Sequence, residues 1–303
     1  MSLPTAAVRS FALAALAVAS LPALAAADLP RSVDQKLPAD PQGRIEISNV
    51  AGRIEVQGWD RAEIAVSGSL GADVERLEFT SAGGRAEVRV VLPRNGRYVD
   101  DGDADLVIRV PARSAVTASV VSADLVSRGV VGRQEIQTVS GDVEADVTGD
   151  ARVSSVSGDV RLDATGSGRL ELRTVSGNLA VGGAAGGEVQ VNTVSGDARL
   201  AFGTLGRARF GSVSGNLTVD TALTPDARFE AESVSGDVTV RLVGKPAGEF
   251  DVETLSGEID NCFGPKPVEP KYGPGSSLSF REGQGTASVR IETKSGNVEL
   301  CRR

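Results

Sequence analysis

The chain has 303 residues, with 36 Gly, no His and a formal net charge of −8. Without His, Ser-His-Asp and Cys-His catalysis and His-ligated metals are excluded. The acidic balance argues against a nucleic-acid backbone as partner, because affinity there comes from clustered Lys and Arg.

Residues 1–27 read as a signal peptide. Arg9 is the only charge there, the apolar run FALAALAVASLPALAAA follows from Phe11 to Ala27, and small residues offer cleavage after Ala25 or Ala27. The run is short for an uncleaved anchor, and no later segment is apolar enough to span a bilayer. No Cys stands at the cleavage region and no Arg-Arg pair precedes it, so a lipoprotein or a twin-arginine substrate is not expected. The mature chain is expected to be soluble and exported, to the periplasm first and the cell surface or medium otherwise, where disulfides persist.

Residues 28–111 predict a β-rich section. RIEIS (44–48), RIEVQ (53–57), AEIAV (62–66), AEVRVVL (86–92) and ADLVIRV (104–110) alternate apolar and polar residues at irregular spacing. This section is expected to cap or begin the repetitive region beyond it, because a bare end coil is an exposed edge.

From residue 112 onward the chain repeats itself. Ser-Gly pairs fall at Ser140-Gly141, Ser157-Gly158, Ser176-Gly177, Ser195-Gly196, Ser214-Gly215, Ser235-Gly236, Ser256-Gly257 and Ser295-Gly296, in steps of 17, 19, 19, 19, 21, 21 and 39. VVSADL (120–125) is a degenerate copy upstream, and NVAGRIEV (49–56) is a further relative. Aligned on the Ser, the residue two before it is always a hydroxyl: Thr138, Ser155, Thr174, Thr193, Ser212, Ser233, Thr254 and Thr293. The residue before the Ser is Val in six copies, then Leu255 and Lys294. The residue after the Gly is Asp142, Asp159, Asn178, Asp197, Asn216, Asp237, Glu258 and Asn297, and an aliphatic residue follows each.

Polar and apolar residues alternate with period two on both sides of the corner, so each copy predicts two short strands with one buried face, joined at Ser-Gly. A step of about 20 residues suits one coil of a parallel β-solenoid, with equivalent residues stacking about 4.8 Å apart. The expected fold is therefore all-β: a single-chain β-solenoid behind a β-rich N-terminal section. An antiparallel array of hairpins is the alternative. The hydroxyl column is expected to form a hydrogen-bonded ladder, and the Asn residues to relieve repulsion within the Asp column.

Cys262 and Cys301 each lie six residues after a corner Ser, so they share a column. If their coils are neighbours, a disulfide between them is expected. A hidden coil between them would separate them by about 9.6 Å and forbid it. Residues 263–285 are rich in Pro and Gly and read as an inserted loop, with a short strand at Leu278–Arg281 forming a hairpin with Ser288–Glu292. The chain end, Cys301 to Arg303, is expected to close the far side.

These features together resemble a known family. The stretch GRIEISNVAGRIEVQGW (43–59), the serial V-S-G-[DN]-[VL] corners and SGEIDNCFG (256–264) are similar to a bacterial exported β-strand-repeat family of unknown function, often labelled candidate adhesin. The resemblance covers nearly all of the mature chain. It implies an exported β-solenoid without established catalysis, and it carries no site residues across.

Three groups of residues invite chemistry. Asp142 and Asp159, on neighbouring coils, would stand near the ~5 to 9.5 Å that glycosidase carboxylate pairs need, but a residue beside Gly at every corner is what a turn requires. Asp101 to Asp105 (DGDAD) offers alternate carboxylates for calcium, yet an EF-hand loop needs Gly and Glu where Leu106 and Ala112 stand, so a solvated acidic loop is the competing reading. Trp59, Tyr98 and Tyr272 are a thin supply of sugar-stacking rings, and packing is the expected role of Trp59. No cofactor or metal is expected. The function read from the sequence is a non-enzymatic binding or structural module of the cell envelope, its partner an unidentified envelope protein, glycan or surface. A carbohydrate-active β-helix enzyme is the alternative, and a self-assembling filament a third reading.

Overall fold

The computed structural model describes residues 31–93, 102–270 and 274–303. The signal-peptide reading, Asp101, Tyr98 and Tyr272 lie outside the described residues.

Among the described residues there is no helix, and the strands follow one another as β1 (Arg31–Pro38), β2 (Arg44–Trp59), β3 (Glu63–Leu70), β4 (Arg76–Ala82), β5 (Arg85–Val91), β6 (Ala104–Pro111), β7 (Ala115–Arg128), β8 (Gln134–Thr138), β9 (Val143–Val147), β10 (Ala151–Ser155) and β11 (Val160–Ala164). They continue as β12 (Leu170–Thr174), β13 (Leu179–Gly182), β14 (Gly187–Ser195), β15 (Ala198–Ser214), β16 (Leu217–Ser235), β17 (Val238–Leu242), β18 (Gly248–Thr254), β19 (Ile259–Asn261), β20 (Ser276–Glu282), β21 (Ala287–Ser295) and β22 (Val298–Arg302).

The strands form two parallel stacks that share one core. The first, built from the segments before each corner, runs β2, β7, β8, β10, β12, β14, β15, β16, β21 and β18, each pair parallel. The second, built from the segments after each corner, runs β2, β7, β9, β11, β13, β15, β16, β17, β22 and β19, again all parallel. One coil is thus a segment of each stack and the corner between them. The antiparallel-hairpin alternative does not hold for these coils. Parallel stacking in register places like residues on like, which is why the columns of the sequence repeat.

Alternation decides which side chains go inside. In β12, Leu170 and Leu172 are buried while Arg173 is exposed, and in β11, Val160, Leu162 and Ala164 are buried while Arg161 and Asp163 are exposed. Larger side chains fill the core toward the C-terminal coils, where buried Phe210 meets Phe229 at 5.3 Å between ring centroids. Phe250 and Phe280 stack at 4.8 Å and fill the last layer.

Both ends differ from a plain coil. At the N-terminal end, β5 and β6 lie parallel to β2, and β4, β3 and β1 add antiparallel strands outside them. At the C-terminal end the spatial order departs from the chain order. β21 lies between β16 and β18, and β22 lies between β17 and β19. The last coil is thus inserted inside the stack, so the chain end does not close the far side. That side is closed by β18, β19 and β20. The expected hairpin of residues 278–281 with 288–292 is also not formed. β20 pairs antiparallel with β18, whose other edge already holds β21.

This insertion brings the cysteines together. Cys262 and Cys301 form a disulfide with their Cα atoms 4.7 Å apart, one strand spacing. No coil lies between them.

Candidate functional site

The repeated corner is the part of the molecule most often reused, and each of its residues has a separate task. The residue two before the Ser points inward. Thr138, Ser155, Thr174, Thr193, Ser212, Ser233, Thr254 and Thr293 are all buried. Their hydroxyls do not form the expected ladder between coils. Thr138 Oγ1 donates to Gly141 O at 2.9 Å and accepts from Gly141 N at 3.1 Å. Ser155 donates to Gly158 O at 2.7 Å, and Thr174 repeats the two-bond pattern with Gly177. Each such hydroxyl locks its own corner, because the bend leaves the Gly amide and carbonyl unpaired inside the core. Thr254 instead donates to Gly296 O on the adjacent coil at 3.1 Å. Thr193 Oγ1 and Thr293 Oγ1 are buried with no hydrogen-bond partner among the described residues.

The corner Gly is required by close approach. A Cβ on Gly158 would stand 2.0 Å from Gly141 O, and one on Gly177 2.0 Å from Gly158 O. Later corners add a second reason, since Gly236 combines a φ of 130° with a 2.2 Å approach to Gly215 O.

The ladder between coils belongs to the Asp and Asn column. Asp142 N donates to Asp124 Oδ1 at 3.0 Å, Asp159 N to Asp142 Oδ1 at 2.9 Å, and Asn178 N to Asp159 Oδ1 at 2.9 Å. The series continues through Asp197, Asn216, Asp237 and Asn297 to Glu258. It traces the spatial order of the coils, including the inserted one. Asp142 and Asp159 are thus committed to the corner.

Two consecutive corner residues face outward. The bend breaks the alternation, so the residue before the Ser and the Ser itself are both exposed. Val121, Val139, Val156, Val175, Val194, Val213 and Val234 are 43–47% exposed, and Leu255 is 63% exposed. They form one apolar row along the stack, broken by Lys294 on the inserted coil. The row is one wall of a groove of about 1380 Å³. The other wall is the outer face of the first stack, with small polar residues such as Ser119 and Ser154 toward one end and Glu232, Glu292 and Glu253 toward the other. Val268, Pro270 and Pro274 of the Pro-rich segment border the acidic end. The Val column was visible in the sequence. Its exposure follows from the alternation, since the residues four and two before the Ser face inward; the exposure of the adjoining Ser does not.

The outer face next to this row carries charges in cross-coil pairs. Arg152 meets Glu171 at 2.7 Å, and Arg209 meets Glu230 at 2.5 Å. Within one strand, Arg290 pairs with Glu292 and is held above the usual Arg range by that hydrogen bond and its charge. On the outer face of the second stack, Arg128 reaches Glu144 at 2.6 Å and Asp146 at 2.9 Å. The Arg128 hydrogen bond holds the Glu144 carboxyl below the usual range.

The remaining expected sites are scattered. Asp103 and Asp105 are both exposed, Asp105 lying in β6, and among the described residues no three metal-ligating groups converge. Trp59 is partly buried, its Nε1 donating to Glu63 O at 2.8 Å with Arg61 lying 5.0 Å over its ring. No helix among the described residues is long and apolar enough to cross a membrane.

Several solved structures align with the chain at low similarity. A candidate adhesin from Parabacteroides merdae aligns at 11% identity with a TM-score of 0.36, covering 89% of this chain and 96% of that one. A candidate adhesin from Bacteroides fragilis aligns at 10% identity and 0.34, covering 89% and 97%. A candidate lipid-binding protein from Parabacteroides distasonis aligns at 11% identity and 0.34, covering 89% and 96%. At these values the likeness carries no argument about what this chain binds. No curated protein matches the chain. A family model matches residues 43–301, from the first coil segment through the second cysteine, and on that match the chain belongs to the toastrack family DUF4097.

Proposed function

We propose that this β-solenoid is a non-enzymatic contact module of the bacterial cell envelope, acting outside the cytoplasm through the corner face. The observation that carries the reading is the row of exposed Val residues from Val121 to Val234, continued by Leu255. Soluble monomers rarely repeat an exposed apolar residue over so many consecutive positions unless the surface is used. The disulfide between Cys262 and Cys301 supports an oxidising compartment. The carbohydrate-active alternative loses its best carboxylate pair, because one oxygen each of Asp142 and Asp159 already accepts an amide of the next coil.

Protease treatment of intact cells, with an osmotically opened control, tests the reading. Cleavage in either sample is expected, on intact cells for a surface location and only after opening for a periplasmic one. Protection in both, with cleavage only after full lysis, would overturn it.

A further inference from the structure

We infer that the corner face of the first stack is a self-association surface, on which a second copy of the chain docks antiparallel along the stack axis. The inference rests on the reading of this face as a contact surface and not on the compartment. Three observations carry it: the period of the row, its area and the order of the charges beside it.

The period comes first. The exposed Val row repeats at the strand spacing, about 4.8 Å. An extended peptide advances about 3.3 Å per residue and falls out of step with it. A second copy has the same period, so its row keeps step with this one, Val against Val except where Lys294 meets Val139. The area is adequate. From β7 to β18 the first stack holds nine coils, and with strands of five to seven residues its face measures roughly 43 by 20 Å, about 850 Å². A standard interface covers about 800 Å² per partner.

The charges select the orientation. A two-fold axis parallel to the strands and centred on β14 sets each row against itself, with the order of the coils reversed. Glu171 then faces Arg209, Arg152 faces Glu230, and Glu135 faces Arg290, each twice by symmetry. In the next row, Ser154 faces Glu232 and Gln137 faces Glu292. In the apolar row, Val175 faces Val213, Val156 faces Val234, and Val194 lies on the axis opposite its own copy. No like charges oppose one another in these pairs. The other two-fold, parallel to the stack axis, sets every coil against itself: over the row of Arg173 it makes Glu232, Glu292, Glu253 and Arg173 each face an identical charge, and over the Val row it makes Lys294 do so. Such juxtaposition disfavours that arrangement. Centring on β14 places four coils on each side of it between β7 and β18, and leaves β2 beyond the overlap.

Sedimentation velocity and light scattering on the full chain as it accumulates in cells, from low to high micromolar concentration, give the first test. A monomer–dimer equilibrium is expected. Glu171→Arg and Arg209→Glu are each expected to weaken dimerisation at least 10-fold, and the double variant to recover most of it, because the two positions face each other between copies and do not pair within one chain. Val194→Cys is expected to cross-link to itself on mild oxidation, and Val121→Cys is not. Circular dichroism of each variant establishes that the fold is kept. A monomer at every concentration would overturn the inference. So would a double variant no better than the single ones, or self-cross-linking at Val121→Cys in place of Val194→Cys.

Discussion

Asp159 Oδ1 accepts two hydrogen bonds from Asn178 of the next coil, from its backbone N at 2.9 Å and its Nδ2 at 3.2 Å. Asn216 repeats this with Asp197, at 3.1 Å and 3.3 Å. Asn therefore does more in this column than dilute charge. It continues the ladder with its own oxygen and adds a donor toward the Asp below, where two adjacent Asp carboxylates would only repel.

This gives a graded prediction. Asp159→Ala removes an acceptor from the Asn178 amide and is expected to cost about 1 kcal/mol. Asp159→Asn keeps an oxygen in place and relieves the charge beside Asp142, so it is expected to be neutral or slightly stabilising. Urea denaturation of both variants under the same conditions decides the point. Equal losses would mean that the charge, and not the acceptor, matters at the corner.

The hydroxyl column predicts a contrast between two chemically identical changes. Thr138 satisfies both polar groups of Gly141, so Thr138→Val leaves a buried amide and carbonyl unpaired and is expected to cost about 1–3 kcal/mol. Thr193→Val removes a hydroxyl with no hydrogen-bond partner among the described residues and is expected to change stability by less than about 0.5 kcal/mol. The difference between the two midpoints is the quantity to measure.

The corner Gly residues predict another contrast. Gly158→Ala forces a Cβ to within 2.0 Å of Gly141 O and is expected to destabilise by about 1–3 kcal/mol or more, by pushing two coils apart. Gly182→Ala meets nothing within 4 Å and is expected to be close to neutral. Thermal melts compare them directly. A neutral Gly158→Ala would show that the stack yields easily along its axis.

The disulfide closes a sequence separation of 39 residues. On the chain-entropy model, the Cys262→Ser/Cys301→Ser variant is expected to lose about 4 kcal/mol. The loss concerns a specific element, because Cys301 tethers β22 in its place between β17 and β19. Hydrogen exchange is therefore expected to rise first in β21 and β22, while β8 to β13 keep their protection. Uniform loss across all coils would argue that the chain end is held by its strand pairing alone.

Much of the architecture was legible because its signals are local. The alternation around each corner predicted two strands per repeat, and the shared column of Cys262 and Cys301 predicted the bond between them. The tasks of individual corner residues were less legible. Thr138 looked like the ladder residue and Asp142 like a turn residue, and the direction each side chain takes at the bend reverses the two tasks. Thr138 turns inward to its own Gly, and Asp142 turns along the axis to the next coil.

By itself the sequence determined that the chain is all-β, that its strands repeat in register and that each repeat turns at Ser-Gly. These follow from periodicity and turn chemistry within a few residues. Tertiary structure alone decided the order of the coils at the C-terminal end and the exposure of the corner Ser beside each Val. Every coil presents the same columns, so β16 matches β18 as well as it matches β21, and local pattern cannot choose between them. Enclosure between two coils made the choice, placing the last coil where both of its edges are paired. The corner Ser is exposed for a related reason. The bend that brings successive Gly backbones together turns two consecutive side chains outward, and no periodic reading of the strand includes that turn.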